Sequence, residues 1–138
     1  MRLNIRALLQ SYLHKNQNKI EDKGKLLQEI IFLPRLYHNR NISSFEILKQ
    51  SGYFKCNNQI TNLDILNAIN KQPEVITDWL TWSENKRTGK GWVFEKAGEK
   101  YSVYYYPYKK KQEALTFSNG NEACAAFIKN EIEDIRKS

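Results

Sequence analysis

The chain has 138 residues, 41% hydrophobic and 12% aromatic. That composition excludes an intrinsically disordered chain and suits one domain with a sizeable core. The net charge is +7, which excludes an acidic chain that imitates nucleic acid and permits an acidic partner, an anionic surface or nucleic acid.

The positive charge is diffuse. Residues 1–69 carry 10 basic and 5 acidic side chains, and residues 70–138 carry 12 and 10. Local clusters occur only at Lys86, Arg87 and Lys90 and at Lys109, Lys110 and Lys111. Wholly apolar runs such as Ile30 to Pro34 are far too short to span a membrane. The first fifteen residues lack the unbroken apolar core and small-residue cleavage site of a signal peptide. A cytoplasmic protein with no membrane contact is therefore expected. Two cysteines, Cys56 and Cys124, do not make a disulfide scaffold. Cys124 reads as a small buried hydrophobe, and Cys56 as a thiol in a polar loop.

In chain order, Arg2 to Lys15 has the spacing of an amphipathic helix, with Leu3, Ile5, Leu8, Leu9, Tyr12 and Leu13 on one side. A second helix is predicted from Glu21 or Lys25 to Leu33, stopped by Pro34. Arg35 to Asn41 then reads as a polar connector. Ser43 followed by Glu46 is a capping-box pattern, and Gly52 fits the end of the helix it starts. Thr61 and Asp64 repeat the pattern ahead of Leu63, Ile65, Leu66 and Ile69. Pro73 and Glu74 suit the start of a helix reaching about Glu84.

From Gly91 the period changes from helical to two. Trp92 and Phe94 alternate with Val93 and Glu95. Ala97-Gly98 suits a hairpin turn. Tyr101, Val103 and Tyr105 then share one face, and Ser102, Tyr104 and Tyr106 the other. Pro107 ends that strand. Glu113 to Ser118 supplies a third strand, with Leu115 and Phe117 on one face. Asn119 to Asn121 caps a closing helix whose stripe is Cys124, Phe127, Ile128, Ile132 and Ile135. That stripe is predicted to cover the Trp92/Val103/Leu115 face. The fold class is thus α+β: a mainly helical N-terminal half, a three-stranded antiparallel sheet and a C-terminal helix packed on the sheet. The whole of 1–138 reads as a single domain, with 1–40 as a helical add-on.

No pattern here carries a reaction. His14, His38, Cys56 and Cys124 lack metal-ligand spacing. Gly89-Lys90-Gly91 lacks the strand-to-helix setting of a phosphate loop. Acidic pairs such as Glu131 and Asp134 read as the solvated face of a helix. No catalytic residue, metal or cofactor is expected, and the chain reads as a non-enzyme. What stands out is the aromatic strand beside two basic clusters. Tyr104, Tyr106 and Tyr108 with Lys86, Arg87, Lys90, Lys109, Lys110 and Lys111 form the candidate partner-binding set. Aromatic and basic side chains on a rigid sheet make protein-binding hot spots. They also make a stacking platform for single-stranded nucleic acid.

The segments SSFEILKQSGYF and ITNLDILNAINKQPEVITDWLTWSENKRTGKGWVFE, with YSVYYYP and NEACAAFIKNEIEDI after them, resemble a family of small bacterial immunity proteins. These belong to contact-dependent growth inhibition and related polymorphic-toxin systems. The resemblance covers residues 43–136, and Asp78 to Glu95 carries most of it. It implies a non-enzymatic inhibitor that binds one cognate toxin domain, often a nuclease. Because this chain is basic, it implies a toxin with an acidic binding surface, or binding away from the toxin's catalytic cleft. The alternative, from the residues alone, is a small nucleic-acid-binding module using the tyrosine strand and the lysine loop.

Overall fold

The computed structural model describes residues 23–86, 89–107 and 114–138. The expected helix over 2–15 and the lysine run 109–111 lie outside them. The described chain begins with α1 (23–31), followed by α2 (Leu33–Arg40), α3 (Ser44–Ser51), α4 (Tyr53–Cys56), α5 (Asn62–Lys71) and α6 (Val75–Asn85). The strands β1 (Gly91–Ala97), β2 (Lys100–Tyr106) and β3 (Leu115–Phe117) come next, and α7 (Gly120–Lys137) closes the chain. The α+β class, the helical first half and the helix-on-sheet packing are as expected.

The caps form for the reasons their residues dictate. Ser43 Oγ accepts from the Glu46 amide at the start of α3. Thr61 and Asp64 exchange hydrogen bonds in a complete capping box at α5. Asn119 accepts from the Glu122 amide at α7. Gly52, at φ 90°, adopts the left-handed conformation that ends α3.

Pro34 does not end the helical region. It stands in the first turn of α2, where its missing amide has no intrahelical partner to lose. The predicted connector 35–41 is therefore mostly helix. Cys56 corrects in the same way: it ends the short helix α4, and its Sγ lies 3.5 Å from the Gly52 carbonyl.

The sheet order is β1-β2-β3, antiparallel throughout. Phe94 pairs with Val103, and Val103 with Leu115, so these three share a face. Helix α7 packs on that face, with Phe127 stacked on Phe94 at 5.5 Å between ring centroids. Its cover is incomplete: Phe94 and Val103 are buried, whereas Leu115 is 51% exposed, contrary to expectation.

Nor is α7 apolar on one stripe alone. Six consecutive residues, Ala123 to Ile128, are buried, because α3, α5 and α6 pack on α7 as well as the sheet. Its alanines let these neighbours approach closely. Residues 26–33 join the same core through Leu26, Ile30, Ile31 and Leu33. Trp79 is the largest fully buried side chain, and its indole donates to the Ile31 carbonyl at 2.9 Å. Burial pushes the Cys124 thiol pKa up, as a thiol in an apolar core requires.

Candidate partner-binding surface

Helices α6 and α7 lie side by side and run in the same direction. Trp79 meets Phe127, at 5.9 Å between centroids, and Trp82 Nε1 donates to Glu131 at 2.7 Å. Each step of about one turn on α6 is matched by one turn on α7. The end of α6 therefore lies beside Glu131, and α7 runs on past it to Lys137.

Lys86 follows the last residue of α6. Its Nζ donates to both carboxylate oxygens of Glu131 on α7. Glu131 is 1% exposed, so the sequence reading of it as a solvated surface acid is corrected. An isolated buried carboxylate would cost several kcal/mol; here Lys86 and the Trp82 indole together satisfy it. Lys86 Nζ also stands 5.9 Å from the centre of the Phe127 ring.

Two depressions flank Lys86. The smaller, about 380 Å³, is a shelf lined by Lys86, Gly91, Val93, Tyr104 and Tyr106, with Ser83 behind. Ser83 is buried and its Oγ accepts from the Phe94 amide at 2.7 Å. That bond satisfies one amide on the outer edge of β1, which has no neighbouring strand among the described residues. Gly91 is close-packed: a Cβ there would come 3.3 Å from Lys86 Cε and Nζ. The larger depression, about 860 Å³, is a groove between α2, α6 and the end of α7. Arg35, Tyr37, Asp78, Trp82, Lys86 and Asp134 are among its walls.

The structure thus brings Lys86, Tyr104 and Tyr106 together on the shelf, while Lys90 lines the groove. Tyr106 is 53% exposed. Tyr104 is half-buried, and its hydroxyl donates to Glu95 at 3.0 Å. Arg87, Tyr108, Lys109, Lys110 and Lys111 lie outside the described residues. Sequence reasoning missed Glu131 and the groove residues Arg35, Tyr37 and Trp82. The i, i+3, i+4, i+7 spacing of Asp78, Thr81, Trp82 and Asn85 was the available signal for one wall.

A separate polar cluster joins α4 to α7. Tyr53, fully buried, donates to Glu133 at 2.7 Å and accepts from Lys129 at 2.9 Å. Arg136 donates to both Glu133 oxygens. Arg136's hydrogen bonds hold the Glu133 pKa down to about 2, burial opposing and the Tyr53 hydroxyl and Lys129 assisting. Burial, with the Glu133 carboxylate, pushes Tyr53 upward. Buried as it is, Tyr53 ties elements together and meets no substrate.

Among the described residues, no group of three or more His, Cys, Asp or Glu is placed to hold a metal. No described helix is long and apolar enough to cross a membrane. No protein-family model matches the chain, and no characterised protein or solved structure does.

Proposed function

We propose that the chain is an immunity protein: a cytoplasmic, non-enzymatic inhibitor that binds and neutralises a cognate bacterial toxin domain, expected to be a nuclease. The observation that supports this most is the convergence of Lys86, Tyr104 and Tyr106 on one rigid shelf. Strand alternation and the basic clusters of the sequence pick out the same residues. A pre-organised aromatic surface loses little entropy when a partner covers it. The basic clusters, Lys90 among them, steer an acidic surface toward it.

The nucleic-acid reading needs cations free to neutralise phosphates. Lys86, the cation at the shelf, is already paired with buried Glu131, which favours a protein partner. The test is protection: the chain is produced in cells carrying any candidate toxin domain found encoded beside its gene. Growth in its presence and arrest in its absence support the proposal. Arrest in both cases, with the chain stably folded, overturns it.

A further inference from the structure

We infer that the groove beside the shelf is a second recognition site, and that it takes an arginine side chain of a polypeptide partner. Four observations carry this, and none depends on the toxin reading. First, Tyr37 and Trp82 meet at 81° with centroids 5.4 Å apart, so their rings form a corner. Tyr37 is 49% exposed, leaving part of that corner open to a ligand. Guanidinium groups stack on such rings.

Second, two of the groove's cations, Arg35 and Lys86, are already paired. Arg35 Nε donates to Asp78 at 2.7 Å and its guanidinium lies 5.1 Å from the Phe32 ring centre. Lys86 is held by Glu131. Third, Asp134, one turn beyond Glu131, is exposed and has no ion pair among the described residues. A carboxylate offers two oxygens to the guanidinium fork. Fourth, the parallel C-terminal ends of α6 and α7 both reach the groove, which adds negative partial charge. Lys90 and His38 line it as well. Lys90 balances Asp134 in formal charge, and the helix ends add negative partial charge beside them.

The experiment uses the full chain and three short peptides differing at one central residue: arginine, citrulline and glutamate. Citrulline keeps the shape of arginine without its charge. Binding is followed by NMR through the Trp82 indole and the backbone amides around Tyr37 and Asp134. The arginine peptide is expected to give saturable shifts there, and the other two none. Asp134→Asn and Tyr37→Leu are each expected to weaken the arginine peptide several-fold while leaving the spectrum otherwise folded. Equal binding of citrulline, no saturable shift, or full affinity in Asp134→Asn overturns the inference.

Discussion

Lys86 Nζ donates to both oxygens of Glu131, and only the lysine side of this pair reaches solvent. The side chains are 30% and 2% exposed. The two members are therefore unequal. Lys86→Met strands a buried carboxylate with one indole donor and is predicted to cost about 3–5 kcal/mol. Glu131→Gln leaves an ammonium that can turn to water and is predicted to cost about 1–3 kcal/mol. Denaturant unfolding of both variants checks the order, and equal losses would contradict it.

Phe127 is the contact between sheet and helices, packed between Phe94 and Trp79. Phe127→Ala removes that contact and leaves a cavity, with an expected loss of about 3–5 kcal/mol. A loss below about 1 kcal/mol would mean that the core closes up without it.

Acid is predicted to loosen the α4–α7 junction. The Glu133 carboxyl has its pKa lowered from 4.5 to about 2 in the folded chain. A depressed carboxylate contributes stability that is complete above its unfolded value and lost as pH falls. The loss is expected between pH 4.5 and about 2. Glu133→Gln is expected to be less stable at neutral pH and to show a flatter stability profile over that window. A profile parallel to the parent's would contradict the assignment.

Gly52 holds φ 90° where α3 hands over to α4, with open space around its α-carbon. Gly52→Ala therefore clashes with nothing and isolates the backbone term, an expected loss of about 1–2 kcal/mol. Thermal unfolding reads it directly.

Much of the fold was legible because its signals are local. Ser43, Thr61 and Asn119 announce helix starts through side-chain oxygens that accept the first free amides. The Trp92-to-Tyr106 alternation fixes the hairpin and its faces. What was not legible depends on neighbours far away in sequence. Pro34 looks like a helix stop until α2 is seen to begin beside it. Glu131 looks like a surface acid until Trp82 and Lys86, more than forty residues earlier, close over it. Leu115 has a buried residue's chemistry, but it lies at the start of the short β3 and stays half exposed. For the candidate site, the alternation found Tyr104 and Tyr106, whereas the groove needed three helices to be placed together.

If the shelf is the toxin-binding surface, the charge beside it and its own aromatic rings have separable effects on kinetics. Lys90→Gln is expected to slow association and flatten its salt dependence. Tyr106→Ala is expected to speed dissociation with the fold intact by circular dichroism. If both variants bind as the parent does, the interface lies elsewhere.

Co-purification tests the proposed function most directly. The tagged chain is produced together with any candidate toxin domain found encoded beside its gene, and the complex is washed across a range of salt concentrations. The account predicts a stable complex that survives moderate salt, since a packed protein interface is less sensitive to ionic strength than phosphate contacts. Recovery of the chain without the toxin domain, but with nucleic acid that is released steeply as salt rises, would contradict it.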